Sequence, residues 1–438
     1  MQRFAAASAL SAFALAAGAA APPVDCHVGL YRLADGSAVD IGQSFEGKLR
    51  WRRPDGSSGA FAIAGPQAGV SMLGWTARPD GRHLTLADCA HDAITFDGMP
   101  GQRIELRTTE TRFTSDGTEL VGRLVMPPGD APVPVVVLLQ GAESDSARAF
   151  DSLQRRLPGE GVGTFVFDKR GTGDSGGKYT QDFEQLARDA VAALAEARRL
   201  GGARVARIGY QGPSQGGWVA PIAANLAPVD FVIVAFGLAV SVLEEDRSSV
   251  AMDIAAKGWP QPVMDRAMAL VDAADAVALH PTLATFERFA AIRDKARAEP
   301  WFKDVHGDFA FMILPLERDH LDGVAEKFDF HTPFLYDPLE TIDRVKAPQL
   351  WIQGHDDLSA PYAETARRLA QLRLAGRPIA TALFPHAEHG IYEYETAADG
   401  TRTSLRQPEG YLGLMADFAR GAPPRASYGD AVLAWPAP

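Results

Sequence analysis

A series of short, unbroken apolar runs limits the fold of this chain more than any other feature. They include Val135-Val136-Val137-Leu138-Leu139, Thr164-Phe165-Val166-Phe167, Arg207-Ile208-Gly209-Tyr210, Phe231-Val232-Ile233-Val234-Ala235-Phe236, Leu350-Trp351-Ile352 and Thr381-Ala382-Leu383-Phe384. None alternates apolar with polar residues, so each reads as a strand buried on both faces. Helical patterns lie between most of them. From Gln181 to Leu200, the residues Phe183, Leu186, Ala187, Ala190, Val191 and Leu194 share one face. Thr180 fits the N-cap of that helix, and Gly201-Gly202 ends it. Strands alternating with helices give an α/β fold around a mostly parallel sheet.

Two regions depart from that rhythm. Residues 22–100 carry short β-like runs parted by Asp35-Gly36, Asp55-Gly56, Asp80-Gly81 and Asp97-Gly98. They read as a small β-rich domain of packing or spacing role. Two strand-like runs follow, Arg103–Arg107 and Leu120–Val125, flanking the turn Ser115-Asp116-Gly117. The α/β core then covers 101–237 and resumes over 341–438. Between them, 238–340 lack strand runs and hold helical stretches near 244–257, 262–279 and 283–298. That is too long for a loop, and it reads as a helical cap over the carboxyl edge of the sheet, where α/β proteins bind ligands.

Composition narrows the partners. The 438 residues carry a formal net charge of −12, which disfavours nucleic acid, and no Lys/Arg run suggests an anionic membrane. Residues 1–21 combine Arg3, an alanine-rich apolar stretch and a small-residue site near Ala19, the pattern of a secretory leader that is removed. The expected location is periplasmic or secreted, with no stable membrane anchor, the apolar stretch being short for a span. The only two cysteines, Cys26 and Cys89, both fall in the N-terminal region, and in an exported protein they are expected to pair. No zinc-ligand spacing, Walker loop or dinucleotide fingerprint occurs, so neither metal nor cofactor is expected.

Two serines fit Gly-x-Ser-x-Gly, Ser175 in GDSGG and Ser214 in GPSQG. With 42 glycines in the chain, the pattern alone decides nothing. A nucleophile elbow needs a strand ending at the serine and a helix starting just after it. Ser214 has both, with the strand run to Gln211 before it and a helical stretch from Gly216 after it. Pro221 is expected to distort that helix locally. Ser175 has neither, and GDSGG reads as a turn tied by Arg170. A serine also needs a base held by an acid. Strand ends supply His355, Asp356 and Asp357, then His386, Glu388 and His389.

The stretch from about Val133 to Gly421, roughly two-thirds of the chain, resembles the α/β-hydrolase superfamily. It is most similar to the bacterial branch of secreted esterases and serine-aminopeptidase-like or dienelactone-hydrolase-like enzymes. DKRGTGDSGG, GPSQGG, GHDDLSAP and FPHAEHG carry the resemblance. It implies Ser214 as nucleophile, Asp357 rather than Asp356 as the acid, and His389, which precedes a glycine, rather than His386 as the base. It also implies an oxyanion hole from the backbone N–H of Gln215 and of the loop Gln140-Gly141-Ala142-Glu143. Ala142 is the first candidate in that loop and Gly141 the second. The family usually has His-Gly where this chain has Gln140-Gly141. Glu143 reads as a surface carboxylate, with orientation of a substrate amine as the other possibility.

The expected activity is hydrolysis of a carboxylic ester through an acyl-enzyme, with a serine peptidase of the same triad as the alternative. A non-catalytic binding protein on a hydrolase scaffold is the remote one. With no charged clamp visible, and with Trp259, Trp301, Phe302, Phe309 and Phe311 in the cap, small neutral esters are favoured over peptides. A Cys26–Cys89 bridge closes a loop of about 60 residues and is expected to stabilise the β-domain by about 2–4 kcal/mol. Intact mass before and after reduction with alkylation checks it, two alkylated thiols appearing only after reduction.

Overall fold

The computed structural model describes residues 26–63, 68–87, 90–323 and 331–437. The leader expected over residues 1–21 and Cys89 lie outside the described residues, whereas Cys26 is disulfide-bonded. Among the described residues no helix is long and apolar enough to cross a membrane.

From Gly29 to Arg103 eight short strands pair antiparallel in sequence order. The last, Met99–Arg103, returns to pair with the first, Gly29–Leu33, and closes a barrel. Tyr31, Val39, Trp51, Phe61 and Phe96 fill it, and a closed barrel of this size leaves no sheet edge exposed. Three of the four Asp-Gly pairs mark turns between its strands. Asp80-Gly81 instead lies inside the strand Pro79–Leu86, where pairing with Ala68–Leu73 shifts register as a bulge.

The second body is a nine-stranded sheet. Its order is Val432–Ala434, Ile379–Phe384, Gln349–Gly354, Phe231–Ala235, Val205–Pro213, Val133–Leu138, Gly163–Phe167, Thr118–Met126 and Arg107–Ser115. The central strands run parallel, and antiparallel pairings occur at the two edges. Helices cover both faces. This is the α/β-hydrolase fold with a helical cap and a preceding β domain. The strand expected at 103–107 is not there: Arg103 ends the barrel, and the edge strand is Arg107–Ser115. RTTETRFTS is too polar to read as a buried strand, yet its β-branched threonines suit an exposed edge.

The long helix runs Phe183–Gly201, and Asp182, not Thr180, caps it by accepting the N–H groups of Glu184 and Gln185. Asp182 also places its charge at the positive end of the helix, which a threonine cannot do. The cap holds the helices Val242–Ala256, Gln261–Leu279 and Leu283–Ala296 around its own core, in which Phe286, Phe289 and Trp301 are buried.

Barrel and sheet are joined by a buried ion pair. Asp40, fully buried in the barrel wall, receives Arg155 Nε at 2.5 Å and Nη2 at 3.1 Å. Arg155 belongs to Leu153–Gly159, the helix that leads into the strand Gly163–Phe167. Removing Asp40 leaves the Arg155 guanidinium buried without the carboxylate it contacts. Asp40→Ala is therefore expected to cost about 3–5 kcal/mol, read from the urea midpoint of the full chain.

Candidate active site

The strand Val205–Pro213 ends one residue before Ser214, and the helix Gly216–Leu226 begins two residues after it. Ser214 adopts φ 48°, a left-handed conformation that costs a non-glycine residue about 1–3 kcal/mol unless its surroundings hold it. They do. Ser214 N–H donates to Ala235 C=O at 3.0 Å, and Gly217 N–H donates back to Ser214 C=O at 2.7 Å. The turn can be this sharp because its neighbours lack side chains. A Cβ on Gly212 would lie 2.2 Å from Gly216 O, and one on Gly217 would lie 2.9 Å from Gly237 Cα. Pro221 leaves the helix unbroken to Leu226.

Asp357 and His389 come together from the ends of the strands Gln349–Gly354 and Ile379–Phe384. Asp357 is buried, and its Oδ2 lies 2.9 Å from His389 Nδ1. Its Oδ1 accepts the N–H groups of Ser359 and Ala360, at 2.9 and 2.8 Å, which orients the carboxylate. Asp356 points elsewhere, to Tyr394 Oη and His355, and His386 is exposed. Phe236, which sequence reading passed over as the end of a strand, packs edge-on to the His389 ring with centroids 4.9 Å apart. Its φ of 44° is a signal only the backbone reveals.

The loop after Val133–Leu138 passes beside Ser214: a Cβ on Gly141 would lie 3.4 Å from Ser214 Cβ. Gly141 N–H is taken by Glu143 Oε1 at 3.1 Å, so the second oxyanion candidate is already engaged. The N–H groups of Ala142 and Gln215 have no acceptor among the described residues. Lys169, buried beneath this loop, donates to Gly141 C=O at 2.6 Å, and Tyr179 Oη donates to Ala142 C=O. Burial pushes the Lys169 ammonium down to about 8, against the pull of Glu143. Glu143 is exposed, as expected of a surface carboxylate, and it also accepts the Gly141 N–H.

Ser175 is a turn residue. Its Oγ donates to Asp168 C=O at 2.7 Å and accepts Val121 N–H at 2.9 Å. Arg170 holds the same segment through a two-pronged contact with Asp189.

The cap contributes charge more than rings. Trp301, Trp259 and Phe302 pack in the cap's own core, Phe309 lies against Phe334, and Phe311 is exposed. Two cap carboxylates act on this pair electrostatically, Glu245 with Asp357 and Asp308 with His389. Burial, then Asp308, Asp246 and Asp357, hold the Glu245 carboxyl well above its ordinary range. Asp246 braces the segment by accepting the N–H groups of Asp308, Phe309 and Ala310. Burial pulls the His389 imidazole down, but Asp357, Asp308 and Glu388 together leave it raised above its usual value.

A serine at a strand–helix elbow, with an aspartate-bound histidine supplied by the ends of two further strands of the same sheet, defines a serine hydrolase of esterase or peptidase type. Residues 116–390 match the family model described as X-Pro dipeptidyl-peptidase (S15 family), and the chain belongs to that family. Among solved structures, the chain is similar to an esterase of Pyrococcus furiosus at 16% identity and TM-score 0.41, covering 65% of this chain and 84% of that one. The acylaminoacyl peptidase of Pyrococcus horikoshii matches at 16% identity and TM-score 0.40, over 80% of this chain and 52% of that one. A 2,6-dihydroxy-pseudo-oxynicotine hydrolase matches at 14% identity and TM-score 0.42, over 74% and 71%.

A base must be neutral to accept a proton, so a raised histidine delays the onset of activity as pH rises. The acidic limb of kcat/KM is expected above the ordinary histidine value of about 6.5. Asp308→Asn removes a negative neighbour that favours imidazolium, and the limb should move to lower pH. Parallel pH–rate profiles of the two proteins check the direction.

Proposed function

We propose that the protein is an exported serine hydrolase that forms an acyl-enzyme on Ser214 and prefers acyl groups bearing a protonated amine, as in a peptidase. Ser214 Oγ attacks the carbonyl, His389 takes its proton, and Asp357 holds the imidazole in the tautomer that can accept it. The N–H groups of Gln215 and Ala142 receive the negative charge that develops on the carbonyl oxygen. His389 then protonates the leaving group, and water repeats the sequence to free the acid. The leader-like N-terminus and the disulfide at Cys26 support export to the periplasm or beyond.

The substrate preference rests on charge: Glu245 lies within electrostatic range of Asp357 and Asp308, and Asp308 within range of His389. Carboxylates crowded this way repel one another, and an ammonium between them relieves the repulsion and favours ionised Glu245. An anionic substrate would meet the opposite. Carboxylic esters, the class ranked first on sequence alone, use the same acyl-enzyme and leave more readily than amines. Activated esters such as p-nitrophenyl butyrate are therefore expected substrates as well.

A fluorophosphonate probe should label the wild type and Ser175→Ala once each. Ser214→Ala should lose labelling and several orders of magnitude of activity. For the acyl group, an X-Pro p-nitroanilide with a free amine is compared with its N-acetylated form. The free amine should be cleaved with the higher kcat/KM. Glu245→Gln should lower that value by about tenfold while sparing p-nitrophenyl butyrate. Equal turnover of both anilides, unaffected by Glu245→Gln, would return the assignment to a neutral-ester hydrolase.

A further inference from the structure

The barrel lies outside the family match, and the chemistry of the triad does not call for it. Many of its contacts converge on one element. His389 lies in the tight connection between Ala387–Glu388 and Tyr392–Thr396, two strands of a small antiparallel sheet completed by Arg402–Arg406. That connection is strained. Ile391 is β-branched and fully buried, yet holds φ 55°, and Gly390 before it has φ 81°. A β-branched residue keeps such a conformation only where its surroundings over-determine it.

Ile391 itself packs in the core of the α/β sheet, and the barrel bears on the next residue, Tyr392. Its turn between Ala68–Leu73 and Pro79–Leu86 reaches onto the small sheet. Trp75 N–H donates to Ser404 C=O at 2.9 Å, and the Trp75 ring meets Tyr392 edge-on, with centroids 4.5 Å apart. Tyr392 in turn presses on the residue beside His389: a Cβ on Gly390 would come within 2.6 Å of Tyr392 Cε2. Arg50, buried in the barrel, anchors Trp75. Its guanidinium carbon stands 3.9 Å over the ring, and its Nη1 donates to Gly74 C=O at 2.8 Å. The same small sheet steers the acid loop, since Tyr394 Oη donates to Asp356 Oδ2 at 2.9 Å and Arg402 Nη1 donates to Asp356 C=O at 2.6 Å.

We infer that Trp75 is a positioning residue for His389, and that the barrel acts through it as a brace for the histidine loop. This rests on His389 being the base, as proposed above. The path is short and continuous: Arg50 fixes Trp75, Trp75 fixes Tyr392, and Tyr392 fixes the Gly390–Ile391 turn that aims the imidazole. The barrel therefore contributes to catalysis without touching substrate, so its loss should lower kcat more than it raises KM.

Trp75→Ala in the full-length protein tests this, with Trp75→Phe as the conservative rescue. A misaimed base commonly costs about 10–100-fold. Trp75→Ala should lower kcat by that factor with KM little changed, and Trp75→Phe should recover most of it. The acidic limb of the pH profile should move to lower pH in Trp75→Ala as the His389–Asp357 contact loosens. Folding is read separately from the urea midpoint. If Trp75→Ala does not fold, Tyr392→Leu interrupts the same path from outside the barrel and carries the same expectation. Ser214→Ala and His389→Ala, measured alongside, decide the triad independently. With both of them inactive, a folded Trp75→Ala of wild-type kcat and pH profile overturns the inference and leaves the triad standing. A loss of rate that only follows the folded fraction overturns it too.

Discussion

The backbone crossing at Ser214 is the constraint on which the site depends. The strand Val205–Pro213 must stop, reverse into the left-handed region and restart as a helix within two residues. That is possible only where backbone meets backbone without a Cβ between, at Gly212, Gly217 and Gly237. The cost is local and the remedy is global. The neighbouring strand Phe231–Ala235 accepts the Ser214 N–H, and that strand is itself held between Val205–Pro213 and Gln349–Gly354. The same sheet then presents Asp357 and His389 from its next two strands.

Strain recurs where the site is most exposed to error. Phe236, beside the imidazole, and Ile391, two residues after it, both hold positive φ. Neither is a turn-forming residue type, so each conformation is imposed by packing. The sheet imposes the first, through Phe236 N–H to Ile352 C=O at 2.7 Å. The α/β core encloses the second, and the barrel touches the residue after it through Trp75 and Tyr392. A domain that reads as a spacer thus lies in contact with the element that carries His389.

The cap changes the character of the site in another way. Its aromatic residues mostly pack on one another, as large rings in a helical body of this size tend to do. Its acidic residues reach the catalytic pair instead. In a half-buried site a nearby carboxylate acts more strongly than it does in water, so Asp308 raises the titration of His389.

Much of this was legible in the chain alone. Unbroken apolar runs specify strands buried on both faces, and only an α/β sheet buries so many. GPSQGG carries the elbow in its own glycines, because close backbone approach is a local requirement. Strand ends supply the order serine, aspartate, histidine, and the resemblance to the α/β-hydrolases chooses Asp357 over Asp356 and His389 over His386. The barrel's closure, the acidic cap and the brace at Trp75 were not legible, because each depends on residues far apart in sequence. Trp75 and Tyr392 are separated by more than three hundred residues, and Asp308 and His389 by about eighty with a strand between them. Sequence determines which residues can bend, cap or alternate, since those are properties of a few neighbours. Which charges meet, and which ring holds a catalytic loop in place, is decided only when distant segments pack into a shared low-dielectric interior.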